Sequence, residues 1–259
     1  MSVPNVMTSE IDLTAAPRPV PRWGFWATCA WGIAILAATM AAQGVAVMVA
    51  LIAWDQIDPA NAPTNVRAAM SDATILTAME LVTLPITLLI VRLATRLARV
   101  RFADYLALKP IGARAFWLGL ACTLGYLIAV DLFGYASGRG LSVPWVREVY
   151  SSALASGTLP ALLIVIVVMA PITEEVLFRG FLFRGWAASR LGVAGAVVLS
   201  SAIWAALHVQ YDWITMCQIF GLGLIFGWQR HRTGSTLTTI ALHGIYSLGA
   251  MGQAAILAG

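Results

Sequence analysis

The amino-acid sequence predicts an all-α protein, a polytopic bundle of about seven membrane-spanning helices, with an eighth left open. Two observations on composition and one on pattern carry this prediction. The 259 residues are 60% hydrophobic and 11% charged, whereas a soluble domain carries about 25% charged residues. The mean hydropathy is +0.83. Apolar stretches of about 20 residues, the length that crosses a bilayer, recur along the chain.

The apolar stretches also divide the chain into regions. The predicted spans are 24–54, 74–91, 114–134, 158–178, 192–210, 213–229 and 235–257. Residues 1–23 are polar and lack the apolar segment of a signal peptide, so we expect a cytoplasmic tail there. Residues 24–157 are predicted to form the N-terminal membrane helices, and residues 158–257 a four-helix core that holds the functional site.

Basic residues indicate the orientation in the membrane. All of them except Arg67, Arg139 and Arg147 fall on one side of the predicted topology, which the positive-inside rule makes cytoplasmic, together with the N-terminus. They are spread over loops, so the net charge does not indicate nucleic-acid binding. Lys109 is the one lysine, and this usage favours a bacterial inner membrane.

Two segments carry helix patterns of their own. Residues 92–112 place Arg92, Arg96 and Arg99 opposite an apolar face, which indicates an amphipathic helix on anionic lipid or, equally, a basic loop. Glycines in the span at 213–229 predict close helix packing. They are Gly221, Gly223 and Gly227.

Charge appears at the end of an uncharged apolar run, residues 164–173, where Glu174, Glu175 and Arg179 follow. A charge deep in a bilayer costs about 2.5–3.5 kcal/mol on insertion scales, so such residues are functional candidates. Glu175 and Arg179 are four residues apart and can pair on one helix face. Glu174 lies about 100° around the helix and can face another partner. Pro171 can bend the helix just before the two acids.

Two later spans add polar pairs at the same spacing. Trp204 and His208 share one helix face, and His243 and Ser247 share another. At a rise of about 1.5 Å per residue, Glu174, His208 and His243 lie within roughly 10 Å of mid-bilayer, and they can meet only if helices tilt or shift.

This set of side chains leaves several chemistries open. A buried glutamate with two histidines can activate water for peptide hydrolysis, bind zinc through Glu174, His208 and His243, or transfer protons. Glu80 is a further intramembrane acid that could support the site or cap a water-filled cavity. Asp131 lies near the external end of its span and is better explained as interfacial.

The three motifs together resemble the CPBP family, the type II CAAX prenyl protease and bacteriocin-processing (Abi) family. Its pattern is EExxxR, an aromatic residue followed by xxxH, and HxxxN. The chain has Glu174-Glu175-x-x-x-Arg179, then Trp204-x-x-x-His208, then His243-x-x-x-Ser247, within residues 158–257. Trp204 stands where the family usually has Phe, and Ser247 where it usually has Asn.

The resemblance implies an intramembrane endopeptidase that acts on peptides or membrane-anchored proteins. It implies that Glu174 activates water, that His208 assists, and that His243, with Ser247, stabilises the oxyanion. Glu175 and Arg179 would hold the geometry. Trp204 and Phe178 are candidates for substrate contact. The family is described both as metal-dependent and as a metal-free glutamate type, so zinc stays open.

Three other functions remain open at this level. A catalytically silent scaffold or chaperone of the same family is motivated by Ser247. A proton-coupled transporter is motivated by Glu80, Glu174 and His243, although no internal repeat accompanies them. A haem protein ligated by His208 and His243 would leave the acidic motif unexplained.

Overall fold

The computed structural model describes residues 23–57, 66–141 and 143–258 of the chain. Within these residues the protein is 84% helical and contains no strand, so the predicted all-α class is confirmed. The predicted tail at 1–23 lies outside the described residues, apart from Trp23.

The N-terminal half consists of long apolar helices joined by short ones. They are α1 (Phe25–Ile57), α2 (Val66–Ser71), α3 (Ala73–Leu97), α4 (Phe102–Tyr105), α5 (Ala113–Ala136) and α6 (Pro144–Ala155). Asp72 begins α3 as its N-cap, because its side chain accepts hydrogen bonds from the backbone N–H groups of Thr74 and Ile75. The long helices α1 and α3 pack against each other.

The C-terminal half contains α7 (Leu159–Ala187), α8 (Gly192–Ala206), α9 (Trp213–Thr233) and α10 (Thr236–Ala258). Helices α8 and α9 pack closely, as the glycines predicted. A Cβ added to Gly223 would come within 2.8 Å of Ser201 Cβ, and one added to Gly227 within 2.8 Å of a Val197 methyl group.

Helix α7 is not a regular α-helix. Two π-helical segments, Val165–Met169 and Val176–Leu182, lie on either side of the α-helical turn Ala170–Glu175. Pro171 stands just after the first segment and has no backbone N–H to donate, which fits a change of hydrogen-bond pattern here. π-Helical turns are rare and are frequent at functional sites.

Five helices of the described chain are long and apolar enough to cross a membrane, so this is an integral membrane protein. They cover Phe25–Ala53, Ala73–Leu97, Ala113–Ala136, Leu159–Ala187 and Thr236–Leu257. The other two predicted spans also form helices. The one predicted at 192–210 is the shorter apolar helix α8, with 15 residues, and the one predicted at 213–229 is α9, with 21 residues.

The segment 92–112 differs from the predicted amphipathic helix. Helix α3 continues to Leu97 and carries Arg92 and Arg96, and Arg99 adopts a positive φ of 56° that ends the helical path. The short helix α4 then leads to Tyr105 and Leu106, which are both fully buried. Side chains from the C-terminal half fix this turn by hydrogen bonds to its backbone carbonyl oxygens.

These contacts tie the turn to the ends of α7 and α10. The Arg184 guanidinium donates to the carbonyl oxygens of Asp104 and Tyr105, both at 2.6 Å. The Thr236 hydroxyl donates to the Leu106 carbonyl at 2.5 Å. The rings of Tyr105 and Phe181 stack with their centroids 5.4 Å apart. Tyr105 and Leu106 are therefore buried anchors of this turn at one end of the bundle.

Candidate active site

A cavity of about 290 Å³ lies between the two halves of the bundle. Helices α1, α3, α6, α7, α8, α9 and α10 all contribute to its wall. The predicted site residues that line it are Glu174, Trp204, His208, His243 and Ser247. Side chains far apart in the sequence thus meet in one enclosed space among apolar helices.

Glu174 and Trp204 are in direct contact across α7 and α8. The indole Nε1–H of Trp204 donates a hydrogen bond to Oε2 of Glu174. Glu174 is partly exposed, whereas Trp204 is 2% exposed. The prediction that Glu174 faces a different partner from Glu175 agrees with this geometry. Trp204 thus holds the Glu174 carboxylate through Oε2.

Glu175 and Arg179 form the predicted ion pair along α7. Arg179 Nη1 lies 2.9 Å from Glu175 Oε1, and both side chains are fully buried. Arg179 Nη2 also donates to the carbonyl oxygen of Gly223 at 3.2 Å. The guanidinium carbon lies 4.6 Å from the centroid of the Trp204 ring, a cation–π distance. Arg179 therefore connects α7 with both α8 and α9.

His243 is held by the same carboxylate. Its Nδ1 lies 3.0 Å from Glu175 Oε1. A carboxylate only accepts hydrogen bonds, so we assign the Nδ1 hydrogen to this contact. The Nε2 atom is then left for the cavity that His243 lines. Glu175 thus orients His243 in addition to pairing with Arg179, a contact that the motif spacing does not indicate.

His208 reaches the cavity from a loop, not from a helix face. Helix α8 ends at Ala206, two residues earlier than the position of His208. Its Nδ1 lies 2.8 Å from the Trp204 carbonyl oxygen, and its ring stacks on Tyr211 with centroids 6.0 Å apart. His208 lines the same cavity as Glu174 and His243, despite the predicted difference in depth.

Two predicted residues differ in their placement. Trp204 lines the cavity, but Phe178 is 2% exposed and belongs to the hydrophobic core, so it is not positioned for substrate contact. The sequence analysis did not select Tyr211 and Tyr246, which both line the cavity. Tyr246 is three residues after His243 on α10, and this spacing was the available signal.

Glu80, the acid on α3 that the sequence left open, also lines this cavity. The hydroxyl of Thr173, the residue before Glu174, lies 2.7 Å from Glu80 Oε1. Asp131 is placed elsewhere. It accepts a hydrogen bond from Gln253 at 2.6 Å and lines a separate cavity at α5.

The zinc hypothesis does not fit the arrangement of donors. Among the described residues, no group of three or more His, Cys, Asp or Glu side chains is placed to hold a metal ion. We therefore derive no catalytic step through a metal.

Part of the chain is similar in sequence to known proteins. The family model for type II CAAX prenyl endopeptidase, Rce1-like, matches residues 156–249. A curated protein of Escherichia coli, described as an uncharacterized 24.3 kDa protein, is 26% identical over 148 residues, which is 55% of this chain and 67% of that protein. No solved structure matches significantly. Residues 156–249, which hold all three motifs, are thus similar to the Rce1-like family, and this match supports a CPBP-family intramembrane protease.

Proposed function

We propose that this protein is an intramembrane endopeptidase of the glutamate type, in which Glu174 activates water and His208 and His243 assist. The observation that carries the proposal is the meeting of these three side chains in one cavity among apolar helices. The family supports an endopeptidase in general terms, and the roles of single residues are our proposal. The substrates would be peptides or membrane-anchored proteins that enter from the lipid.

The first step is activation of water. Glu174 takes a proton through its free oxygen Oε1, while the Trp204 N–H on Oε2 keeps the carboxylate in place. His208 donates its Nδ1 hydrogen to the Trp204 carbonyl, so Nε2 carries a lone pair that can orient the same water. Such positioned bases contribute about 10²–10⁴-fold to a rate.

The second step is stabilisation of the oxyanion that forms when water attacks the peptide carbonyl. His243 already donates through Nδ1 to Glu175, so an N–H at Nε2 requires the imidazolium form. Preorganised donors at a developing oxyanion are typically the largest contribution to catalysis. Ser247 lines the cavity one turn further along α10 and can donate a second, shorter-reaching hydrogen bond.

The proposal also covers the membrane in which the protein lies and the substrates that it would cut there. We place the N-terminus in the cytoplasm because of the basic loops, and the protein in a bacterial inner membrane because the chain has a single lysine. A bacterial member of the family would mature a leader peptide, a bacteriocin or a C-terminal membrane anchor. The replacement of Asn by Ser at position 247 favours one second candidate, a catalytically silent scaffold.

Peptide cleavage in detergent or liposomes tests the proposal. Wild type is compared with Glu174→Gln and His208→Ala on a broad peptide pool, with and without a strong chelator. Asp131→Asn and His231→Ala serve as matched controls, because Asp131 lines another cavity and His231 is exposed. We expect cleavage by wild type and controls, also with chelator, and none by the site variants.

Other outcomes of this experiment have definite meanings. Folded Glu174→Gln protein with full activity would disprove the glutamate mechanism. Loss of wild-type cleavage with chelator would establish a metal. If wild type cleaves nothing, while Glu174→Gln still complements a deletion strain, the scaffold function is favoured.

A further inference from the structure

Glu80 brings a second carboxyl group to the proposed site, from a part of the chain that no motif covers. It lies on α3, outside the matched residues 156–249, and it lines the same cavity as Glu174, His208 and His243. Gln43 of α1 lines this side of the cavity as well. The first half of the chain, which resembles the family only as apolar helices, therefore supplies a titratable group to the site.

The hydrogen bonds of the Thr173 hydroxyl indicate whether Glu80 carries a proton. This hydroxyl oxygen lies 2.7 Å from Glu80 Oε1 and 3.0 Å from the backbone carbonyl oxygen of Met169. A hydroxyl has one hydrogen, so it cannot donate fully to two acceptors. A threonine in a helix commonly donates to the carbonyl oxygen four residues earlier, which is that of Met169 here. When the Thr173 hydrogen is in that bond, the 2.7 Å contact with Glu80 Oε1 needs a hydrogen from the Glu80 carboxyl group.

The charges around the cavity also favour a proton on Glu80. No lysine or arginine occurs among the described residues that line it, and the imidazolium proposed for His243 is paired with Glu175 through Nδ1. Arg179, the buried cation next to it, is already bonded to Glu175 and to the Gly223 carbonyl. Two ionised carboxylates in one cavity repel each other, and this repulsion is absent when one of them carries a proton. The titratable groups that line the cavity with Glu80 are Glu174, His208, Tyr211, His243 and Tyr246.

We propose that Glu80 is a second catalytic carboxyl group, which holds a proton in the resting site and delivers it to the leaving amine nitrogen. This inference depends on the proposed endopeptidase function. Glu174 would act on the water and Glu80 on the leaving group, so that one carboxylate and one carboxylic acid divide the two proton transfers, as pairs of acids do in other hydrolases.

The reaction balances with these two groups. Glu174 takes one proton from water, and the remaining hydroxide forms a bond to the carbonyl carbon. The C–N bond then breaks, and the nitrogen takes the proton of Glu80, which gives a free amine and a carboxylic acid. Transfer of one proton from Glu174 to Glu80 restores the starting state. The net reaction is amide plus water to acid plus amine.

The test uses two substrates that differ only in the leaving group. One is a cleavable peptide. The other carries the same acyl part as a 4-nitrophenyl ester, whose leaving group departs without a proton. Glu80→Gln is compared with wild type, Glu174→Gln and Asp131→Asn, with spontaneous ester hydrolysis subtracted. The glutamine amide can still contact the Thr173 hydroxyl, so this variant removes the proton donor and preserves the shape.

We expect Glu80→Gln to lose ~10²-fold or more in kcat on the peptide, with little change in KM, and to retain hydrolysis of the ester. Glu174→Gln should lose both activities, and Asp131→Asn neither. Retained ester hydrolysis also shows that the variant is folded. Equal losses on both substrates, or no loss on the peptide, would overturn the assignment of Glu80. No hydrolysis of either substrate by wild type would instead overturn the endopeptidase function, and the leaving-group role with it.

An infrared measurement tests the proton of Glu80 without any turnover. The carbonyl-stretch band of a protonated carboxylic acid should be present in wild type at neutral pH and absent from Glu80→Gln. It should persist in Asp131→Asn. An identical band in wild type and Glu80→Gln, or none in either, would overturn the inference whether or not the protein cleaves peptides.

Discussion

The indole N–H of Trp204 donates to the carboxylate of Glu174, so the aromatic residue of the second motif directly fixes the acid of the first. The same ring lies against the Arg179 guanidinium, at 4.6 Å, and against the rings of His208 and His243, at centroid distances of 5.3 and 5.4 Å. Trp204 therefore contacts the residues of all three motifs. A phenylalanine could fill the space but could not donate the hydrogen bond.

Trp204→Phe should separate packing from hydrogen bonding at the site. A hydrogen bond to a charged group contributes about 1.5–3 kcal/mol, so we expect peptide cleavage to fall about tenfold or more. The melting temperature should change little, because most of the ring remains. Trp186→Phe is the matched control, since Trp186 is also 2% exposed and does not line the cavity. Unchanged cleavage by Trp204→Phe would show that this hydrogen bond does not serve catalysis.

Arg179→Ala should destabilise the protein strongly. It leaves the fully buried Glu175 carboxylate without its cation, and breaking a buried ion pair typically costs about 3–5 kcal/mol. Unfolding by denaturant in detergent micelles measures the loss. Addition of Glu175→Gln to this variant should recover part of the stability, because the unpaired charge is then removed. Arg232→Ala, at an exposed position, should have almost no effect. A double variant no more stable than Arg179→Ala would contradict this explanation.

Asp212 should make stability depend on pH in the acid range. Its side chain accepts from the Thr215 backbone N–H at 2.9 Å as the N-cap of α9, and it pairs with Arg139. The backbone N–H, followed by the Arg139 guanidinium, lowers the pKa of Asp212. The folded-state pKa lies below the unfolded value of about 3.9, so the stabilisation is present above that pH and is lost as pH falls through the folded pKa.

Thermal unfolding between neutral pH and pH 3 measures this contribution. Asp212→Asn should flatten the acid decline and keep the cap, because asparagine caps helices about as well as aspartate. Asp212→Ala should lose about 0.5–2 kcal/mol at neutral pH through loss of the cap. The same acid decline in wild type and Asp212→Asn would rule out this residue as its source.

Gly223→Ala should loosen the contact between α8 and α9. The new methyl group would lie 2.8 Å from Ser201 Cβ, which forces the helices apart, and overpacking of this kind typically costs about 1–3 kcal/mol. The matched control is Gly252→Ala, where a Cβ meets no atom within 4 Å. Denaturant unfolding of both variants measures the difference. Equal stability of the two would mean that the helices adjust without strain.

The sequence was sufficient for the features that depend on composition and helical spacing. Apolar length predicted the all-helical membrane class, and the separation of four residues predicted the pair of Glu175 with Arg179. Glycine spacing predicted the contact of α8 with α9. Each of these follows from local geometry along one helix, so no knowledge of tertiary structure was needed.

Other features depended on where helices end and what packs on them. Helical spacing placed His208 on the face of Trp204, but α8 ends at Ala206 and a loop carries the histidine. Phe178 is adjacent to the acidic motif in sequence, yet it faces the core. The arginine pattern at 92–112 predicted a lipid-facing helix. Tyr105 and Leu106 within it are buried by residues more than 70 positions away, and the sequence pattern does not show these contacts.

The two π-helical segments of α7 have a consequence for how this region can vary. Each π turn holds one residue more than the α-helical turn that it replaces, so removal of a single residue from Val165–Met169 would restore ordinary winding and leave the preceding turns at the same rotation relative to Glu174. Removal of a residue from the α-helical turn Ala170–Glu175 would instead rotate one side of the helix by about 100° relative to the other. The number of residues is therefore constrained more tightly in the turn that carries the two acids than in the π-helical segment before it.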